Sequence, residues 1–398
     1  MSDNSPAIFP ASLRTVGRLA PAIAILGLLL LGAGLGIGGS SLDRVIQYYY
    51  YGWIITLGFS LGCYGLMLLH YVVKGSWGYP VIRIWESGAR MLPGLLIAAL
   101  PIFLLREHLF PWAQPELTSN PENAVLIHRL GYLNPTWIAI RAIIYFTFWI
   151  GSTQFLTGLS RKQDETKDPT LIQARTNFSA VALVLFVLTA NFAYTDWVMS
   201  LELRWYSTIF GVWFVISNSM CALALASVIT SLFHNKAPYA DSVDNAVRKD
   251  YGNLLLMHTM VWAYFSFSQW VIIWSGNLPD EIEFYLHRFA DGWLSVGAFL
   301  VIFQFFGPFL LLLSGKTKRK PMLLGAVATW LILMRLTDIC WQIFPSFKGT
   351  NPLFLVPALG AALVFLGIWL TAVMRSMSSA LAIPVWVEPI KDEVLHHA

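Results

Sequence analysis

The chain reads as an all-α polytopic membrane protein with ten transmembrane helices, and three observations predict it. Of its 398 residues 57% are hydrophobic and only 12% charged, where a soluble domain is nearer a quarter charged. The apolar residues gather into ten runs, most of them long enough to cross a hydrocarbon core of about 30 Å as helices. The Lys and Arg residues between the runs alternate from sparse to dense, as a bilayer demands.

Residues 1–18 are polar, carry Arg14 and Arg18, and lead into the first run at 19–37. A basic start, an apolar stretch and the Gly38-Gly39-Ser40-Ser41 that follows also resemble a signal peptide. Signal h-regions are usually shorter than this run, which favours an uncleaved helix. The other runs lie near 51–73, 91–105, 135–159, 177–194, 206–233, 251–274, 293–313, 321–340 and 353–373. The third is short; before it, residues 80–91 read as an interfacial amphipathic turn that keeps Arg83, Glu86 and Arg90 wet. Cys63, Cys221 and Cys340 all fall in apolar runs without a close pair. They read as small buried hydrophobes, not as a disulfide, zinc or iron–sulfur set.

Charge sets the orientation. The two termini and the even-to-odd connections hold 18 of the 26 Lys and Arg residues; the five opposite connections hold six, and Arg141 and Arg335 lie inside runs. The positive-inside rule therefore predicts both termini in the cytoplasm. The net charge of +4 is divided among short loops and does not point to nucleic acid. The outer side then receives residues 191–207 and an acidic connection with Asp280, Glu281, Glu283 and Asp291. Glu107, Glu116 and Glu122 of the connection at 106–134 add to an outer surface suited to a basic partner.

A faint duplication appears once the runs are aligned. His128-Arg129 precedes the fourth run and His287-Arg288 the eighth; Leu159-Ser160-Arg161-Lys162 and Leu313-Ser314-Gly315-Lys316 close them. Thr195-Asp196 ends the fifth run and Thr337-Asp338 the ninth. Each pair falls on one membrane side in one order, as a parallel repeat requires. The expected division is 1–45 for the N-terminus and first span, 46–200 and 201–345 for two four-helix bundles, and 346–398 for the last span and tail.

The stretch 191–207, NFAYTDWVMSLELRWYS, mixes aromatic rings with Asp196, Glu202 and Arg204, a composition suited to the membrane–water interface. Arg335 lies three residues before Asp338, on the same helical face. Arg141 sits about 9 Å into the fourth run, where an arginine must pair, snorkel or line a wet cavity. Asp196, Glu202, Asp338, Arg335 and Arg141 are therefore the candidates for a polar pocket that binds a quinol head group or passes protons. Ion pairs that lock helices together use the same residues. His258, Trp262, Ser266 and Gln269 follow one face of the seventh run over about 16 Å, which suits either a proton line or interhelical hydrogen bonds. His70 and His258 are the one pair that could bracket a haem, a weak signal. No nucleotide-binding glycine motif and no clustered metal ligands occur, so the chain carries no evident redox centre of its own.

Two stretches carry a family resemblance. One is Thr195-Asp196-Trp197-Val198-Met199-Ser200-Leu201-Glu202 followed by Trp205-Tyr206-Ser207-Thr208. The other is Phe265-Ser266-Phe267-Ser268-Gln269-Trp270, then Ile273-Trp274-Ser275-Gly276-Asn277-Leu278-Pro279-Asp280-Glu281. Together they resemble the F-type integral membrane subunit of bacterial alternative complex III, a relative of the NrfD/polysulfide-reductase membrane anchors, over essentially the whole chain. The resemblance implies a subunit of a quinol-oxidising respiratory complex in the bacterial cytoplasmic membrane. Its partners would be a homologous NrfD-like membrane subunit, a multihaem cytochrome c and an iron–sulfur subunit. It implies quinone binding (menaquinone or ubiquinone), proton conduction, or both, and no cofactor bound in this chain. A secondary transporter with parallel repeats and a purely structural membrane anchor are the competing expectations.

Overall fold

A computed structural model of the chain describes residues 11–120, 124–202, 204–378 and 381–384. Residues 1–10, Glu122 of the acidic connection and Lys391 of the C-terminal tail lie outside the described residues. Helix accounts for 84% of the structure, and no strand occurs among the described residues.

The long elements are α1 (Ala11–Gly38), α2 (Leu42–Val73), α3 (Tyr79–Leu104), α4 (Pro135–Thr166), α5 (Thr170–Trp197) and α6 (Phe210–Leu232). They continue as α7 (Asn245–Gly276), the short α8 (Pro279–Phe289), α9 (Trp293–Leu313), α10 (Pro321–Ile343) and α11 (Leu355–Ser378). All but α7 and α8 are long and apolar enough to cross a membrane, nine among the described residues where the sequence reading expects ten. The chain is thus an α-helical, multi-pass membrane protein. The missing span is the expected seventh. It does fold as a helix of 32 residues, but Asn253, His258, Thr259, Ser266, Ser268 and Gln269 dilute its apolar content.

Local signals start these helices where the sequence places them. Asn134 accepts a hydrogen bond from Trp137 N at 2.9 Å while Pro135 opens α4, and Asp244 accepts from Val247 N at 2.8 Å to open α7. Each cap satisfies an amide that has no partner within the helix. In α9, residues Val301–Phe306 form a π-helical turn immediately before Gly307-Pro308. Pro308 has no N–H to offer the carbonyl four residues back, and its ring crowds that carbonyl; a widened turn relieves both.

The core is built around α2, whose most apolar stretch is 94% buried. A helix apolar on every side belongs inside a bundle, and α2 packs against α3, α5, α6 and α11. Its approach to α6 is backbone on backbone: a Cβ on Gly62 would lie 2.0 Å from Asn218 O. Around this seam, α3, α4 and α5 gather on one flank of α2, while α7 and α10 pack on α6 and α9 packs on both of them. The most extensive helix pair is α1 with α11, where a Cβ on Gly27 would lie 2.5 Å from Val364 N. Cys63, Cys221 and Cys340 are buried and free.

The largest departure from the sequence reading is at α3. Arg83 and Glu86 are not wet; both are buried, and the helix begins near Tyr79 instead of Met91. Arg83 Nη1 donates to Glu86 Oε2 at 2.6 Å and to Ser160 Oγ at 3.0 Å, and Nη2 pairs with Asp164. Tyr71 O–H donates to Glu86 Oε1 at 2.5 Å. Charges so partnered can enter the bundle, which local amphipathicity alone could not foretell. Arg90 is partly exposed, as expected.

Candidate functional site

Asp196 comes from the last turn of α5 and is fully buried. Arg141, one helix away on α4, lays its guanidinium across the carboxylate: Nε lies 2.8 Å from Oδ2 and Nη2 3.0 Å from Oδ1. Tyr145 O–H donates to Oδ2 at 3.3 Å, and the Tyr132 ring lies 3.8 Å from the guanidinium carbon. Both carboxylate oxygens are taken. Such a two-pronged arginine fixes orientation as well as charge. The arrangement is closed.

Asp338, on α10, is also fully buried and also paired, but differently. Arg335 Nη1, three residues back on the same helix, pairs with Oδ2. Trp262 Nε1 of α7 donates to that same oxygen at 3.2 Å. Oδ1 has no hydrogen-bond partner among the described residues, nor have Nε and Nη2 of Arg335. Gln304, on the π-helical turn of α9, completes the group when its amide is turned to the orientation that satisfies both ends: the nitrogen then reaches Met334 O at 3.1 Å and the oxygen takes Trp262 Nε1 at 3.0 Å.

Asp338 forms part of the wall of a cavity of about 770 Å³ between α7, α8, α9 and α10, with Trp213 of α6 at the back. The rest of the wall is largely aromatic and aliphatic, including Trp262, Phe267, Trp270, Tyr285, Phe305 and Trp341. Tyr264, Phe267, Trp270, Val301 and Phe306 are exposed, so the cavity opens on the side where a bilayer would lie. Ser266, Tyr264 and Tyr285 also line it, and an apolar recess of several hundred Å³ with a few polar groups is the usual form of a small-ligand site. A second cavity, of about 500 Å³, between α1, α2, α3 and α11 is apolar apart from Tyr48, Tyr49 and Thr56.

Glu202 follows α5 and stands at the centre of a network that fastens α8. It accepts from Arg288 Nη1 at 2.8 Å and Ser346 Oγ at 2.6 Å, and His287 Nδ1 lies 3.2 Å from Oε2. Arg288 is buried with its guanidinium carbon 3.4 Å from the Phe284 ring centre, and its Nη2 donates to Gln342 O at 2.6 Å. Burial opposes the charge on Glu202, yet the hydrogen bonds from His287, Arg288 and Ser346 and the Arg288 charge hold its carboxyl at about 2. His287 is raised above its ordinary value, first by its hydrogen bond to Glu202, against partial burial. Tyr285 and Phe289, on this same α8, also line the aromatic cavity.

The structure separates the other candidates. His258 places Nδ1 2.7 Å from Leu254 O and Nε2 2.8 Å from Ser219 Oγ; Ser266 donates back to Trp262 O at 2.9 Å; Gln269 accepts from Ser207 at 2.5 Å. His258 and Gln269 thus reach Ser219 of α6 and Ser207 of the connection before it, while Ser266 bonds back within α7. His70 packs against Trp77 and Trp85, and no cluster of three metal-ligating residues occurs among the described residues. Arg129 donates to Arg204 O at 2.5 Å, while His128 is exposed, so this pair does not reproduce the role of His287 and Arg288.

Two features went unread in the sequence. One is the group of buried Arg83 and Glu86 with half-buried Asp164 at the other end of α4 from Arg141, with Arg175 stacked 4.5 Å from the Tyr71 ring. Its signal was the three-residue spacing of Arg83 and Glu86, which puts them on one helical face. The other is Gln342, four residues beyond Asp338 on α10 and buried. No protein-family model matches the chain, and no curated protein matches it in sequence.

Proposed function

We propose that this chain is a membrane subunit of a quinol-oxidising respiratory complex, and that the quinol enters the aromatic cavity from the bilayer with a ring hydroxyl against Asp338 Oδ1. The observation that carries this reading is a lipid-facing aromatic recess with Asp338, a buried carboxylate that has one unmatched oxygen, among its lining residues. A quinol has the complementary form: a flat apolar ring, a long tail and hydroxyl donors. Aromatic walls hold the ring by stacking, and a carboxylate buried beside an arginine accepts the hydroxyl hydrogen bond. The resemblance to the F-type subunit of alternative complex III supports the same assignment. It supplies the electron acceptors by class, a multihaem cytochrome c and an iron–sulfur subunit, beside a homologous NrfD-like membrane subunit.

The topology that goes with this reading has ten spans, α7 being the tenth, with both termini in the cytoplasm of a bacterial cell and two repeated four-helix bundles. At about 48 Å, α7 is long enough to cross. Reporter fusions at Lys167 and Lys318 should read cytoplasmic and fusions at Ser119 and Asp280 external; a reversed pair overturns the orientation.

A short-tailed quinone titrated into the purified full chain in nanodiscs tests the central claim. Quenching of tryptophan fluorescence is expected, because Trp213, Trp262, Trp270 and Trp341 line the cavity. Quenching that is absent, or unchanged when Trp262 and Trp341 are replaced by Phe, removes the reading. The closed Arg141–Asp196 pair favours a structural role for that end of the molecule. A secondary transporter would purify alone or as a homo-oligomer, whereas a complex subunit brings its cytochromes with it.

A further inference from the structure

We propose that the first turns of α7 and the connection between α9 and α10 form a binding site for an anionic phospholipid. Its phosphate would lie against Lys318 and Lys249, and an acyl chain would run along the exposed faces of α7 and α9. The proposal does not depend on what occupies the aromatic cavity.

The headgroup end is built around Lys318. The apolar part of α9 ends at Leu313 and that of α10 begins at Pro321, so residues 314–320 lie where the chain would leave and re-enter a bilayer. A short helical turn, Gly315–Arg319, packs this connection on α7. The Lys318 stem crosses α7 at Gly252, where a Cβ would lie 2.5 Å from Lys318 Cγ. Lys318 is only 7% exposed, and its Nζ donates to Asn253 Oδ1 at 2.8 Å. An ammonium carries three N–H donors, so two are left without a partner among the described residues.

Negative charge is what this end of the molecule lacks. Lys249, Lys316, Arg319 and Lys320 are exposed here beside the buried Lys318. None of the five makes an ion pair among the described residues. Asp241, Asp244 and Asp250 are the acidic residues nearby in the chain, and Asp244 is engaged in capping α7. Burial first, and then the Lys249 charge, lower Lys318 from its ordinary value. α10 opens at Pro321 with no side-chain cap, so the positive end of its dipole adds to the same potential. A phosphate diester answers all of this: it keeps a negative charge near neutral pH, and its oxygens accept from both ammonium groups. Basic pockets at the ends of membrane helices hold such head groups.

One face of α7 then runs from the cations toward the middle of the bundle. Lys249, Asn253, Met257, Met260 and Tyr264 recur every three or four residues, and all are exposed. From Asn253 to Tyr264 is about 16 Å of helix, close to one leaflet of a hydrocarbon core about 30 Å thick. On α9, which packs on α7, Leu313, Leu310 and Phe306 form a second exposed stripe. A free anion or an acidic protein would use the cations and leave these stripes idle; a phospholipid uses both. Met260, Tyr264 and Phe306 also line the aromatic cavity, so the bound tail would end at its rim.

Native mass spectrometry of the purified full chain, titrated with phosphatidylglycerol or phosphatidylcholine in mixed micelles, tests the site. The native chain should bind phosphatidylglycerol saturably and in clear preference. Lys249→Gln with Lys318→Gln should weaken that binding about 10- to 30-fold, since each cation at a membrane surface is worth about fivefold. Lys318→Arg keeps the charge and should stay within about threefold. Should the double variant lose helix by circular dichroism, Lys249→Gln alone, at an exposed position, should still show the fivefold loss. Lys162→Gln with Lys167→Gln removes two exposed cations from the α4–α5 connection and should change binding less than about twofold. Equal losses in the two pairs would show a general attraction to basic loops and overturn the site. Displacement of the lipid by millimolar inorganic phosphate, or equal binding of chainless glycerol phosphate, would show an anion site without a lipid and overturn it too. No preference for phosphatidylglycerol in the native chain would also overturn it. Protection of Lys249 and Lys316 from amine labelling only in an assembled complex would then give this face to an acidic protein.

Discussion

Asp196 and Asp338 look like the same residue twice. Each follows a threonine near the end of a long helix, each is fully buried, and each pairs with an arginine. They differ in where that arginine stands. Arg141 comes from a facing helix and can lay both prongs across both oxygens of Asp196. Arg335 sits three residues back on the helix of Asp338 itself and reaches one oxygen, which Trp262 also uses. The other oxygen has no hydrogen-bond partner among the described residues, and Asp338 is one of the residues that line the cavity. A charge pair across two helices locks; a pair along one helix can neutralise a carboxylate and still leave one of its oxygens unmatched.

The largest effect should come from breaking the lock. Asp196→Ala strands the Arg141 guanidinium in the bundle, and removing one partner of a buried pair costs about 3–5 kcal/mol. Thermal or denaturant unfolding in detergent, or loss of the chain from membranes, measures it. The double change Asp196→Leu with Arg141→Met should recover most of that stability, since well-packed apolar groups can replace a buried pair. A double variant no more stable than the single would mean that the pair does more than lock.

Part of this contrast was legible in the sequence. The spacing of Arg335 and Asp338 already puts them on one face, and an arginine inside the fourth run already requires a partner. The two-pronged geometry at Asp196 was not legible, because it depends on how α4 and α5 rotate against each other. Nor was the cavity, whose wall is assembled from five helices that no local pattern relates. Arg83 and Glu86 show the opposite error. Their amphipathic setting suggests water, but Ser160 and Asp164 arrive from α4, far along the chain, and make burial affordable. Gly307-Pro308 signalled an interruption in α9, yet only the packing shows that the π-helical turn brings Gln304 to Trp262.

Neutralising both ends in parallel sharpens the comparison. Arg335→Gln with Asp338→Asn keeps shape and removes charge together, so no lone charge is left buried. Quinone or quinol affinity should fall about 10- to 100-fold, the worth of a hydrogen bond to a charged group. Arg141→Gln with Asp196→Asn should leave affinity within about twofold. Equal losses at both ends would erase the distinction between lock and site.

A smaller loss is expected at Trp262. Trp262→Phe keeps an aromatic wall but removes the N–H that Asp338 and Gln304 share. Asp338 Oδ2 keeps Arg335, so affinity should drop only about three- to tenfold. A hundredfold loss would show that the indole itself holds the ring.

The smallest effect, and the one most specific to the second end, is a pH dependence. The clasp on α8 contains His287 and Glu202, with Arg288 and Glu283 facing the imidazole; the Arg141–Asp196 pair has no histidine among its hydrogen-bond partners. His287 is raised in the folded protein above its ordinary 6.5, so its stabilising contribution is complete below 6.5 and is lost as pH rises through the folded value. Glu202 is lowered from 4.5 to about 2, so its contribution is complete above 4.5 and is lost as pH falls toward 2. The clasp is therefore tightest between those ordinary values, and α8 should loosen on the alkaline side. Because the His287 side chain is 41% exposed, solvent screens its pair and the change should be modest. Amide hydrogen exchange over Pro279–Phe289, compared at about pH 5.5 and 8.5 after correction for intrinsic rates, should show protection falling at the higher pH. His287→Gln should flatten that difference, and exchange at the C-terminal turn of α5 around Asp196 should show none. A pH response of equal size at both ends would mean that the two carboxylates are coupled through the bundle and that the Asp196 end is not a passive lock.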